Sequence, residues 1–145
     1  MAITVRDILV EKGPQVYAAG PDDSVFEALE RLAEFEVGAL VVLDGDRLVG
    51  MVGEREYARE VVLRGRASRE TRVREVMRAP VTTVELGSPV AVCMALMTEL
   101  RVRHLPVVDG GRLVGLVSIG DVMKAAIDEH EFELEQLHTY IAGVR

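Results

Sequence analysis

Val102-Arg103-His104-Leu105-Pro106-Val107-Val108-Asp109-Gly110-Gly111-Arg112-Leu113-Val114-Gly115 restates, 65 residues later, the stretch Val37-Gly38-Ala39-Leu40-Val41-Val42-Leu43-Asp44-Gly45-Asp46-Arg47-Leu48-Val49-Gly50. Nine of the fourteen positions are identical, so the chain is an internal duplication, which fixes the architecture before any single residue does. In both copies two apolar runs flank an Asp-Gly pair, the pattern of a tight hairpin. The same offset carries Val16 onto Val81, Val25 onto Val90 and Val52 onto Val117. Upstream it breaks: Val5-Arg6-Asp7-Ile8-Leu9 matches Val73-Arg74-Glu75-Val76-Met77 at an offset of 68, so the connectors leading into the two repeats differ in length.

Working outward from the hairpins, Val25, Ala28, Leu29 and Leu32 fall at helical spacing, as do Val90, Cys93, Met94 and Met97. Each set predicts an amphipathic helix with one buried face. Asp23-Ser24 and Gly87-Ser88-Pro89 supply the starts, by capping and by a proline suited to a first turn. Short strands at Val16-Tyr17-Ala18 and Val81-Thr82-Thr83-Val84 lead in, and a second helix follows each hairpin, near Glu54 and near Ile119. The expectation is an α+β fold of two β-α-β-β-α repeats packed with pseudo-two-fold symmetry. Its parts are repeat 1 over residues 1–64, a polar linker over 65–72, repeat 2 over 73–126 and a C-terminal helical extension over 127–145.

At 145 residues with 49% hydrophobic composition, the chain has ample surface for a core. A formal net charge of −7 argues against nucleic acid or anionic lipid as a partner, since both need a basic face. No stretch approaches a bilayer-spanning length and the N-terminus lacks a signal-peptide layout, which predicts a cytoplasmic protein. Cys93 is the one cysteine; it is read as an inert core residue, without disulfide or thiolate metal cage.

The order of the helix, Leu105-Pro106-Val107-Val108-Asp109, Gly111-Arg112-Leu113-Val114-Gly115 and Val117-Ser118-Ile119-Gly120-Asp121-Val122, preceded by its counterpart in the first half, resembles the CBS domain, in a tandem pair. The resemblance runs from about Val5 to Lys124. It implies a regulatory module that binds an adenine nucleotide in the cleft between the repeats, AMP foremost, with NAD or ATP as alternatives. It implies no required cofactor, no metal and no catalysis.

Ser118-Ile119-Gly120-Asp121 matches the Ser/Thr-x-x-Asp element that holds ribose and phosphate in such pairs. A carboxylate offers two acceptors to vicinal hydroxyls, a hydroxyl at a helix start joins backbone amides near a phosphate, and Gly120 leaves room for close approach. The same spacing is also close to a capping box, in which the hydroxyl and the acid serve their own helix. Similarity places Arg103 and His104 toward the phosphate, with Arg101 and Lys124 nearby, and the base against Tyr17, Ala18, Ala19 and Pro21. A weaker second site maps onto Gly53, Arg55 and Glu56, with Val37, Gly38, Thr82 and Thr83. There the hydroxyl is missing, the acid is longer and the flanking charge is absent.

Met123, Ile127, His130, Leu134, Leu137 and Ile141 alternate spacings of four and three, a heptad seam on the last helix. The seam serves either a docking contact or the chain's own core; the flat dimers of the resembled family favour a homodimer with this tail near the interface. His130 is read as packing. No nucleophile elbow, phosphate loop or histidine cluster is present, so an enzyme is not expected. Two readings stay open: a nucleotide sensor, and an interaction scaffold with a vestigial pocket that docks a regulated protein.

Overall fold

The computed structural model describes residues 2–143. In chain order the elements are α1 (Val5–Lys12), β1 (Ala18–Ala19), α2 (Val25–Phe35), β2 (Ala39–Asp44), β3 (Arg47–Gly53) and α3 (Glu54–Glu56), which continues as a π-helix over Tyr57–Val62. They go on as α4 (Val73–Val76), β4 (Val84–Glu85), α5 (Val90–Leu100), β5 (His104–Asp109), β6 (Arg112–Ser118) and α6 (Ile119–Gly143). Each repeat contributes one three-stranded sheet, β1-β2-β3 or β4-β5-β6. The fold is α+β, with the expected β-α-β-β-α order in both copies and a long C-terminal helix.

Packing divides the chain differently from duplication. One compact unit gathers the residues up to Pro14, Val84–Val107 and the chain from Gly115 onward; the other holds Gln15–Thr83 and Val108–Val114. Each leading helix thus belongs to the unit built on the other repeat's body. Backbone hydrogen bonds show it. In the first unit Val5 N donates to Ser88 O (2.9 Å), Arg6 N to Leu86 O (2.9 Å) and Val90 N to Ile3 O (3.0 Å). In the second, Val73 N donates to Asp23 O (2.8 Å), Arg74 N to Pro21 O (2.9 Å) and Val25 N to Thr71 O (2.8 Å), the same three bonds at equivalent positions.

Residues 65–72, expected as a polar linker, are built into the second unit. Thr71 is buried and its hydroxyl donates to Ala67 O at 2.8 Å. Phe26 N donates to Ser68 O, and the Arg69 guanidinium lies 3.7 Å from the centre of the Phe26 ring. In this unit β1 runs parallel to β2, with Ala18 opposite Val41. β2 runs antiparallel to β3, from the pair Ala39–Gly53 to Asp44–Arg47. The core is drawn from α2, the strands and the π-helix, among them Val25, Leu32, Leu40, Val42 and Val61. Each large side chain so buried contributes about 1.5–3 kcal/mol.

Local chemistry explains the boundaries. Gly45 (φ 63°) opens the first two-residue turn, while Gly110 (φ 58°) and Gly111 (φ 82°) fill the second, the left-handed positions that tight hairpins need. Ser24 caps α2 by accepting from Glu27 N at 3.1 Å. The start of α5 differs from expectation: Pro89 is the N-cap itself, and the Ser88 hydroxyl instead accepts from Glu85 N at 3.0 Å, closing the turn before the helix. Val90, Cys93 and Met97 form the buried face of α5, whereas Met94 is 39% exposed. Cys93 is fully buried, and burial pushes its thiol pKa up, as an inert core cysteine requires.

In the first turns of α6, Val122 and Ala125 are buried. The heptad seam is not: Met123, Ile127, Leu134 and Leu137 are about half exposed. The seam therefore does not cover this chain's own core. Among the described residues no helix is long and apolar enough to cross a membrane.

Candidate functional site

The junction of β6 and α6 places Ser118 at the end of the strand and Asp121 in the helix's first turn. Asp121 N donates to Ser118 Oγ at 3.2 Å, and Ser118 N donates to Asp121 Oδ2 at 2.8 Å. This is the reciprocal capping box that the spacing allowed. A third donor arrives from α1: Lys12 Nζ lies 2.7 Å from Asp121 Oδ2 and 2.8 Å from Leu116 O. Both contacts that involve the carboxylate, from Ser118 N and from Lys12 Nζ, fall on Oδ2. Burial raises the Asp121 pKa, but hydrogen bonds from Lys12 and Ser118 outweigh it and hold the carboxyl below its ordinary value. The group is an anion with a side chain 24% exposed.

The turn is tied to the strand that precedes it, because Ile119 N donates to Arg103 O at 2.8 Å. This main-chain bond brings Arg103 beside the start of α6. Arg103 is exposed and His104 half-buried. Ile119 is 40% exposed. A β-carbon on Gly120 would meet nothing closer than Ser118 Oγ at 3.7 Å, so the space over the turn is open. A cavity of about 380 Å³ adjoins it in the same unit, lined by Ile8, Glu11, Lys12, Asp121, Lys124 and Asp128 among others. Lys124 pairs with Glu11 at 2.7 Å and also feels the charge of Asp121.

Lys12 is the residue that sequence reasoning missed. It sits in the last turn of α1, where a cation also favours the helix's C-terminal end, and nothing local points to a partner more than a hundred positions away.

Tyr17, Ala18, Ala19 and Pro21 lie in the other unit. Ala19 is 3% exposed, a core side chain that leaves only main chain for a ligand. The carbonyls of the other three are occupied: Tyr17 O by Val41 N (3.1 Å), Ala18 O by Arg31 Nη1 (3.3 Å) and Pro21 O by Arg74 N (2.9 Å). The Tyr17 ring stacks on Phe35 with centroids 4.0 Å apart.

The counterpart turn in the second unit repeats the backbone bond, Glu54 N to Gly38 O at 3.3 Å, but no side chain caps the helix, since Gly53 has none. Gly53 is packed so that a β-carbon would run into Gly38 O. Glu56 is half-buried on a three-residue helix, Arg55 is exposed, and beyond them the chain widens into the π-helix. Val37 and Thr83 are half-buried, while Gly38 and Thr82 are exposed. The second element thus lacks the hydroxyl, the box and the lysine that organise the first.

The CBS domain model matches residues 5–63 and 73–128. CBSX3 of Arabidopsis thaliana, a CBS domain-containing protein described as mitochondrial, is 36% identical over 149 residues, covering 97% of this chain and 72% of that protein. A candidate signal-transduction protein with CBS domains from Burkholderia ambifaria superposes with a TM-score of 0.83 at 50% identity, covering 87% of this chain and 95% of that one. Inosine-5'-monophosphate dehydrogenase of Mycobacterium tuberculosis is 34% identical over 107 residues, but the match takes in only 19% of that enzyme. The chain belongs to the CBS-domain family, as a tandem pair of CBS domains.

Proposed function

We propose that the chain is a non-catalytic regulatory module that binds an adenine nucleotide, AMP in preference to ATP or NAD, with its ribose and phosphate at the Ser118–Asp121 turn. The observation that carries this reading is the division of labour on Asp121: Oδ2 holds the turn and Lys12, leaving Oδ1 as an acceptor for a ribose hydroxyl. Ser118 Oγ accepts from Asp121 N and keeps its own proton to donate to a phosphate oxygen. Arg103 and Lys12 supply positive charge beside it. The relatives fit a regulatory role: the Burkholderia protein is described as one of signal transduction, and the dehydrogenase match takes in only a fifth of that enzyme. The exposed seam on α6 supports a homodimer, because a surface stripe of that length is rarely left to solvent.

The scaffold reading is favoured by one specific fact, the completed capping box, which stabilises the turn without any ligand. Calorimetric titration with AMP, ATP and NAD separates the two. Saturable heat from AMP that weakens in Asp121→Ala is expected; no heat from any of the three leaves the scaffold.

A further inference from the structure

The second unit holds a larger groove, far along the hairpins in sequence from the Glu56 turn. Its volume is about 870 Å³ and all of its lining residues belong to that unit. That size lies within the range of small-molecule sites. Arg47 and Arg112 line it, and they are the same position of the duplicated hairpin, each the first residue of its strand. The duplication has therefore brought two copies of one guanidinium to a single groove.

Both side chains are exposed, and neither has a hydrogen bond or ion pair among the described residues. Other arginines of this unit are engaged by acids: Arg31 by Asp23 (2.6 Å), Arg64 by Glu60 (3.1 Å) and Arg74 by Asp22 (2.6 Å). One acid, Asp46, lines the groove, so two permanent cations face one anion in a chain of net charge −7. The remaining wall is largely apolar, with Leu48, Val49, Val81 and Val108, and Thr83 adds a hydroxyl.

We propose that this groove binds a small organic phosphate, its apolar body against Leu48, Val49, Val81 and Val108 and its phosphate drawn by Arg47 and Arg112. Guanidinium forks match phosphate oxygens in geometry, and two of them suit a dianion better than the single charge of a carboxylate. The site is separate from the Ser118–Asp121 turn and uses none of its residues.

Phenyl phosphate is the probe, titrated into 15N-labelled full chain. Saturating amide shifts at Leu48, Val49, Val81 and Val108 are expected, with inorganic phosphate and benzyl alcohol each about tenfold weaker because each lacks half of the recognition. The double variant Arg47→Ala/Arg112→Ala should weaken phenyl phosphate about tenfold or more while leaving the rest of the spectrum and the AMP titration unchanged. Asp121→Ala should leave phenyl phosphate binding intact. Absence of saturation at millimolar probe, equal binding by the double arginine variant, or loss of binding in Asp121→Ala would each overturn the proposal, whatever the outcome for AMP.

Discussion

Leu9 is packed directly against Gly115: a β-carbon on the glycine would lie 2.8 Å from Leu9 Cδ1 and 2.9 Å from Cδ2. Met77 stands in the same relation to Gly50, where a β-carbon would lie 2.6 Å from its Sδ. Leu9 and Met77 correspond at the offset of 68, and Gly50 and Gly115 at the offset of 65. The helical leader of each repeat is thus seated on the hairpin of the other.

A side chain at position 115 must displace Leu9. Gly115→Val is expected to lower stability by roughly 1–3 kcal/mol, as overpacking of a filled site does. Leu9→Ala in the same chain should recover part of the loss, because neighbours that compete for one space are not additive. Urea unfolding followed by circular dichroism measures both; equal midpoints for Gly115→Val and the natural protein would contradict the packing.

Helix α2 ends on Glu36 with φ 53°, a left-handed conformation held by a residue that is not glycine. Such a residue pays about 1–2 kcal/mol for its β-carbon, and glycine returns part of that through its freer unfolded state. Glu36→Gly should raise stability by about 0.5–1 kcal/mol, read as a higher thermal midpoint. A lower midpoint would show that the Glu36 side chain contributes more than its backbone strain costs.

The Asp121 carboxyl is held below its ordinary value, with Lys12 among the causes. The folded state therefore binds this proton less readily than the unfolded chain. The resulting stability is fully present above the unfolded value near 4 and drains away as the pH falls through the lower folded value. Lys12→Met should cost a few tenths to about 1 kcal/mol at neutral pH, the range of a partly exposed ion pair. Denaturation series at neutral and at acid pH should show the gap between Lys12→Met and the natural protein closing as Asp121 protonates; a gap that widens on acidification would contradict a stabilising Lys12–Asp121 pair.

Ile127 and Leu134 lie on the exposed seam of α6, 55% and 47% accessible. Replacing both with Glu changes no buried contact in the single chain, so helical content should persist. Sedimentation velocity should find the natural protein dimeric and the double variant shifted toward monomer. A monomeric natural protein, or an unshifted variant, would remove α6 from the interface.

The hairpins were legible because Asp-Gly between apolar runs admits few other backbones, and Gly45 and Gly110 take the left-handed angles that the pattern required. Both amphipathic helices were legible from period alone, though period could not say that Met94, one residue round from Cys93, faces outward. The offset of 68 shows that the connectors differ in length, but not which body a leader joins, which only tertiary packing shows. Residues 65–72 read as a linker from their polar composition; what composition does not show is that the carbonyls of Ser68 and Thr71 bind the start of α2. At the candidate site, Ser118 and Asp121 are named by the resemblance to CBS pairs, since spacing alone equally describes a cap, while Lys12 is not, because its partner is set by how α1 meets α6. Of the two roles that the spacing allows, the structure shows the cap, made through Oδ2 of Asp121 and the hydroxyl of Ser118.

The central claim is that Asp121 accepts a ribose hydroxyl, and a calorimetric cycle of AMP and its 2′,3′-dideoxy analogue against the natural protein and Asp121→Ala tests it most directly. The natural protein should prefer AMP by about 1–3 kcal/mol, the range of a hydrogen bond to a charged group, and Asp121→Ala should show no preference. Equal affinity of the natural protein for the two ligands, or a preference that survives the loss of the carboxylate, would contradict it.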